Sequence, residues 1–490
     1  MLPILVVAVP LLTALGCAVS RRPHHRELVH LLGSVVSIAF TLWLVWKVTA
    51  FGAYSALGHF FFIDPLSALI LLITGVVSFT AALHSIGYIR QELRRGELKS
   101  AQTRSYYAWF HGFVATMYFV PMVNNLGIAW VAIEATTIAS AYLVALYRSA
   151  EALEAAWKYL ILCSVGIAFA LLGLIVLYGS SINVYGSASN RLDFTFLDQA
   201  TRPLPIHLLL LAFVLVLVGY GTKVGLAPMH FWLPDAHSQA PSPISAMLSG
   251  ALLSTALYAI LRIVIIVDRA GGGSFVSHVT LAFGLLSLMV AFPFLLLQND
   301  IKRMLAFSSV EQMGILVFGI GIGGPAGLLA VMLQMFNHAM TKSTLFMAAG
   351  NFVQYHGTKN MRRMGGSLSK FPFTGTVFLI ATVALVGAPP FALFTSEFAL
   401  AAAGFANKHA IVTIIFLLLL AAMFGVVIYQ AGRVLFGKAP EHERHVATDP
   451  WTTWPLLIPL SFVVVLGVFI PHSLQLLFHQ AALVLGGRMP

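Results

Sequence analysis

Long apolar runs, each closed by a short polar stretch, follow one another along the whole chain. Fourteen lie at about 2–20, 28–48, 63–88, 106–123, 125–147, 157–178, 206–226, 241–264, 276–297, 304–322, 326–352, 373–402, 408–434 and 455–480. A helix needs roughly 20 apolar residues to cross roughly 30 Å of hydrocarbon, so each run predicts a membrane helix. Helices pair every backbone amide internally, as lipid requires. Alternation of polar and apolar positions at period two is absent, which argues against a β-barrel. The fourth and fifth runs are separated only by Asn124-Asn125. The seventh and twelfth are interrupted: Gly219, Gly221, Gly225 and Pro228 weaken the helix ladder in one, and Pro389-Pro390 stops it in the other.

Composition agrees with this pattern. Of 490 residues, 59% are hydrophobic and 9% charged, and mean hydropathy is +0.90. Soluble domains carry about a quarter charged residues, so a soluble globular protein, a disordered chain and a polar nucleic-acid binder are excluded. Cys17 and Cys163, both inside apolar runs, exclude a disulfide framework, an iron–sulfur centre and a cysteine-based zinc site. The first run does not read as a signal peptide, because Arg21-Arg22 follows it and no basic residue precedes it. Leu15-Gly16-Cys17 is only a faint lipobox.

The net charge of +11 is explained by topology. Loops after odd-numbered runs, with the residues flanking them, hold 19 of the 28 Lys and Arg residues, Arg444 among them; the opposite side holds 7, including Arg262 and Arg488. The positive-inside rule puts the richer side in the cytoplasm and both termini outside a bacterial or archaeal cytoplasmic membrane. The longest loops, about 89–105, 179–205 and 435–454, are too short for a catalytic domain. The chain therefore acts within the bilayer or through a partner, and nucleic acid is not that partner.

Ionisable residues inside such runs cost roughly 2.5–3.5 kcal/mol each by insertion scales, which makes them functional candidates. Glu134 lies midway along the fifth run with no base three or four residues away, so its partner must come from another helix. Lys223 sits where Gly and Pro weaken the seventh run, and Glu397 follows the prolines of the twelfth. His338 and Lys342 are four apart and share one helix face. Glu311 lies about two turns into the tenth run, as a relay member or a partner for Lys302 or Arg303. His230 and His237 flank Pro234-Asp235; their spacing is not a zinc pattern, leaving packing or proton entry and exit. Lys158 opens the sixth run with Glu154 at i−4, and snorkelling to the interface is its plain alternative.

No phosphate loop, nucleophile triad, haem ligand set or flavin fingerprint accompanies these groups, so no cofactor or metal is expected in this chain. Acids and bases linked by water in a low-dielectric interior can pass protons, each altering the charge felt by the next. The interrupted runs are five apart. This spacing predicts an all-α polytopic fold with two inverted five-helix repeats, at 106–264 and 276–434, between an N-terminal segment 1–105 and a C-terminal segment 435–490. Glu134 then corresponds to Glu311, and Lys223 to Glu397.

Trp130-Val131-Ala132-Ile133-Glu134, Gly221–His237, Ile301–Ser309 and His338-Ala339-Met340-Thr341-Lys342 resemble the antiporter-like subunits of respiratory complex I, Mrp sodium/proton antiporters and energy-converting hydrogenases. The resemblance covers roughly 60–430, and Glu154–Tyr159 with Val310–Gly314 point within it to the component F type of hydrogenase-4. It implies a proton-translocating, non-redox subunit of a hetero-oligomeric complex. Other membrane subunits and soluble redox subunits would be its partners. Glu134 and Lys223 would form an ion pair, with His338 and Lys342 in a connecting axis and Glu397 at the far end. Many relatives carry a lysine or histidine in the eighth helix, where this chain has Ser254 at the expected position, near Ser249, Thr255 and Tyr258. The chain ends soon after the fourteenth run, so the lateral helix of some relatives is not expected. Three other readings remain: a cation/proton antiporter subunit, a proton-coupled module energising a partner such as an inorganic-carbon uptake protein, and a scaffold with a vestigial channel.

Overall fold

The computed structural model describes residues 1–438 and 449–486. The inner part of the 435–454 loop, with Arg444, and the terminal Arg488 lie outside the described residues. Within them, ten helices are long and apolar enough to cross a membrane. Each apolar run falls on helix, but not always on one helix. Ser100–Phe119 and Gly324–His356 hold the fourth and eleventh runs.

The helices divide by which of their faces are covered. Pro65–Arg94 and Ile301–Ile322 are enclosed, with 89% and 100% of their most apolar windows buried by protein. Gly324–His356 is buried along nearly all of its second half. These three, with the helix Leu253–Val267, make the centre. Leu2–Val19, Pro23–Phe51, Ala150–Tyr185 and Ala410–Leu435 lie at the periphery, each buried along one face and presenting large apolar side chains such as Trp157 and Ile411 outward. An apolar outward face has no penalty in lipid, so packing between helices depends instead on close fit. A Cβ at Gly219 would stand 2.4 Å from the Ala170 backbone, and one at Gly284 would stand 2.6 Å from that of Phe318. Glycine thus lets Ile206–Val224 meet Ala150–Tyr185, and lets Gly273–Leu297 meet Ile301–Ile322, at backbone contact.

Both predicted interruptions are present. Ile206–Val224 ends at Gly225, whose φ of +82° is the left-handed conformation that glycine adopts without a Cβ clash. The chain resumes helix at Trp232–Gln239. The Trp232 indole donates to Thr222 O at 2.7 Å, satisfying a carbonyl beside the break. The twelfth run is two helices, Pro372–Leu385 and Ala392–Ala406, parted around Gly387 at φ +68°.

The structure corrects several expectations. The last run, 455–480, is not one helix: Leu457–Val468 stops before Pro471, and His472–Leu485 restarts after it. A short antiparallel hairpin, Tyr54–Ala56 with Phe61–Ile63, links two helices of the otherwise helical fold. The eighth run carries one π turn, Leu248–Leu252, inside its helix. Arg262, counted by sequence with the outer-side charges at the end of the 241–264 run, is enclosed in Leu253–Val267 and makes a bidentate ion pair with Asp64 at 2.6 and 2.7 Å. Asp64 also caps Pro65–Arg94 by accepting from Ser67 N at 2.9 Å.

Candidate functional site

Lys223 lies in the last turn of Ile206–Val224 and is fully buried. Its Nζ donates to Thr137 Oγ1 at 2.9 Å and to the Tyr159 hydroxyl at 2.5 Å. The Tyr159 hydroxyl also pairs with Ser140 Oγ at 2.7 Å, and its ring packs on Trp232. Thr137 and Ser140 are one turn apart on Leu126–Val144, so one helix supplies both oxygens. Glu134 is one turn earlier and half buried; its Oε1 accepts from Ser164 Oγ at 2.7 Å and its Oε2 has no hydrogen-bond partner. Glu134 and Lys223 therefore do not form the expected direct ion pair. Glu134 still acts on Lys223 through space, with hydroxyl groups lying around both.

A second cluster surrounds Lys342 on Gly324–His356. The amine, fully buried, donates to Leu305 O at 3.0 Å and to the Ser308 hydroxyl. Glu311, three residues beyond Ser308 on Ile301–Ile322, interacts with Lys342 through space and makes no ion pair with Lys302 or Arg303. Those two bases are engaged elsewhere: Lys302 Nζ donates to Ala240 O, and Arg303 pairs with Asp235 at 2.9 Å. Glu311 in turn faces Glu397. Gln334 Nε2 donates to Gln312 Oε1 at 2.7 Å and reaches Glu397 Oε1 at 3.4 Å, while Ser396 Oγ donates to Gln334 Oε1. Gly387 closes over this carboxylate: a Cβ there would stand 2.1 Å from Glu397 Oε2.

Ser249 lies within the π turn and pairs with Ser309 Oγ at 2.8 Å. Ser309 donates to Leu305 O at 3.1 Å, the carbonyl that also accepts from Lys342. His338 is fully buried, faces the Ser249 backbone and has no partner on either ring nitrogen. The eighth helix thus reaches the axis through Ser249. Ser254 and Thr255 donate to carbonyls of their own helix, and Tyr258 belongs to the Ser67–Arg262 group. Among the described residues no side-chain hydrogen bond joins the Lys223 group to the His338 group.

The remaining candidates separate. His237, on Trp232–Gln239, is fully buried, stacks on Phe346 one turn beyond Lys342, and feels the charges of Lys302 and Lys342 through space. His230 lies in the break, stacked on Phe231 and edged by Phe294 and Phe307, apart from these groups. Lys158 is half exposed and pairs with Glu154 at 2.6 Å and Asp235 at 3.4 Å. Exposed pairs of this kind contribute about 0–1 kcal/mol, as expected for a side chain reaching to the interface. No cluster of three or more His, Cys, Asp or Glu side chains able to hold a metal occurs among the described residues.

The axis depends on residues that a search for ionisable groups passes over: Thr137, Tyr159, Ser164, Ser249, Ser308, Ser309, Gln312 and Gln334. The available signal was polar side chains within apolar runs, above all Thr136-Thr137 and Ser308-Ser309. Buried polar atoms left without protein partners, on His237, His338, Glu134, Gln312 and Asn337, line the same route. Such atoms are ordinarily satisfied by ordered water, which makes the arrangement suited to proton exchange.

Residues 123–425 match the family NADH:quinone oxidoreductase/Mrp antiporter, TM. The chain is 36% identical over 428 residues to the hydrogenase-4 component F homolog of Methylacidiphilum infernorum (isolate V4), covering 87% of this chain and 89% of the relative. It is 32% identical over 355 residues to Na(+)/H(+) antiporter subunit A1 of Staphylococcus haemolyticus (strain JCSC1435), covering 69% of this chain and 41% of that longer protein. Its fold matches a chain of the membrane-bound sulfane sulfur reductase, an archaeal respiratory membrane complex, with a TM-score of 0.87 at 23% identity over 99% of this chain and 97% of the other. The chain belongs to the NADH:quinone oxidoreductase/Mrp antiporter family of transmembrane subunits.

Proposed function

We propose that this chain is the proton-translocating membrane subunit of a redox-driven, hetero-oligomeric complex of the hydrogenase or respiratory type in a bacterial or archaeal cytoplasmic membrane. The observation that carries the reading is the pair of fully buried lysines, Lys223 and Lys342. Both are held by neutral hydroxyl and carbonyl oxygens rather than by carboxylates. A permanently charged lysine at this depth would be paired; one held by neutral oxygens within the field of an acid can take up and release its proton. Glu134 sets the charge that Lys223 feels. Protons pass along His338, Lys342 and Glu311 to Glu397, with the hydroxyls and amides between them as relays.

Two inverted repeats organise this route, at 106–264 and 276–434. Matched packing supports them: Leu126–Val144 lies on Ala150–Tyr185 as Ile301–Ile322 lies on Gly324–His356, and the sixth and eleventh helices both pack against a broken helix. Both termini face outside and the basic loops face the cytoplasm, where soluble partners holding the redox centres dock. One charge crossing 100 mV requires roughly 2.3 kcal/mol, so the drive comes from those partners. No cofactor belongs to this chain.

Proton uptake driven by turnover of the reconstituted complex tests the reading. Lys223→Ala is expected to stop it while assembly persists; unchanged pumping removes Lys223 from the mechanism. The Staphylococcus haemolyticus antiporter likeness favours a second reading, a cation/proton antiporter subunit. Sodium-dependent proton flux without any redox partner would select it.

A further inference from the structure

Glu92 is buried in the last turn of Pro65–Arg94, a place where the helix carbonyls disfavour a negative charge. It forms no ion pair among the described residues; the charges of Arg95 and Glu97, just beyond it, act on it through space, and its neighbour Arg94 is exposed, so the acid lies one step inside the surface. Gln354 Nε2 donates to Glu92 Oε1 at 2.7 Å and to Tyr88 O at 3.1 Å, and the Gln354 amide oxygen has no partner. Tyr147 faces Glu92 and pairs with the Tyr88 hydroxyl at 3.1 Å. Tyr88 also faces Ser242, whose buried hydroxyl has no hydrogen-bond partner. Two residues before Ser242, the Ala240 carbonyl accepts a hydrogen bond from the amine of Lys302, which is fully buried. His237, three residues before Ala240, stacks on Phe346, which lies one turn beyond Lys342 on Gly324–His356. Lys359, in the loop after Gly324–His356, adds a second amine beside Lys302; burial pushes it below the usual lysine range.

We propose that Glu92 is the proton-exchanging acid of a side entrance, which connects the basic-loop face to Lys342 through Lys302 and His237. The proposal rests on the proton-translocation reading above. Four separate helices place these groups: Pro65–Arg94, Ile301–Ile322, Trp232–Gln239 and Gly324–His356. A purely structural acid would need only to accept the Gln354 hydrogen bond, which an amide oxygen does equally well. An exchanging acid needs its titratable proton, which an amide lacks. The route enters the second cluster directly and does not cross the gap between Lys223 and His338.

The test is turnover-driven acidification in vesicles carrying the whole complex, with the amount of assembled subunit measured in the same membranes. Glu92→Gln is expected to lower proton transport per turnover about tenfold or more, and Glu92→Asp to restore part of it. Wild-type transport by Glu92→Gln overturns the entrance. Lys223→Ala is run beside it. If Lys223→Ala transports normally, the functional reading itself fails. If Lys223→Ala is silent and Glu92→Gln normal, only the entrance fails. Should Glu92→Gln not assemble, Tyr147→Phe keeps the ring packing and removes the hydroxyl. Several-fold slower transport then supports the entrance, and an unchanged rate overturns it.

Discussion

The Lys223 cluster and the Lys342–Glu397 cluster are each built beside a broken helix, yet their chemistry differs. Around Lys223 the partners are hydroxyls, and the acid, Glu134, is half buried on Ser164. Around Lys342 the acid Glu311 faces the amine, and amides lead from it to a second acid, Glu397. The sign of charge also follows the helix ends. Lys223 lies at a carbonyl terminus, where a cation is stabilised by about 0.3–1 kcal/mol. Glu397 lies in the second turn after an amine terminus, where that effect has faded, and Gly387 and Gln334 hold it instead. The first cluster is a single site that can be charged or neutral. The second is a line of groups along which a proton can move.

The largest effect expected from breaking this contrast is loss of transport. Lys223→Ala and Lys342→Ala should each reduce proton transport by about a hundredfold or more, and Glu311→Gln should match Lys342→Ala rather than Glu134→Gln. Vesicle acidification checks this, and equal effects of Glu311→Gln and Glu134→Gln would erase the distinction. Next is a control away from both clusters. Asp64→Asn strands the Arg262 guanidinium and should destabilise the fold by about 3–5 kcal/mol, seen as a lower unfolding temperature, while transport per assembled complex stays unchanged.

A smaller pair compares the two breaks. Gly225→Ala and Gly387→Ala both place a Cβ at positive φ, at about 1–2 kcal/mol each. The added atom meets the flexible Leu233 side chain in the first case and the Glu397 carboxylate in the second. Stability should fall alike in both, but transport should fall chiefly in Gly387→Ala; equal transport losses would show that the break itself, not the carboxylate, is being read. The smallest expected change is Thr137→Val, which removes one of two hydroxyls from Lys223. It should slow transport a few-fold, because the Tyr159 hydroxyl keeps its hydrogen bond to the amine. Rates at the wild-type level would leave Tyr159 alone as the partner.

The sequence by itself determined the helical membrane class, the two interrupted helices and the ionisable side chains placed within helices, Glu134, Lys223, His338, Lys342 and Glu397. Hydropathy, proline and glycine act locally, so each is legible over a few turns. Sequence could not assign partners. Thr137 and Lys223 are 86 residues apart, and Arg262 and Asp64 are 198 apart. The roles of Ser249 and Glu311 depended on a π turn and a neighbouring helix that no local pattern announces. Hydrogen bonds and fields act over a few ångströms in space, and only the packing of distant helices decides which groups come that close.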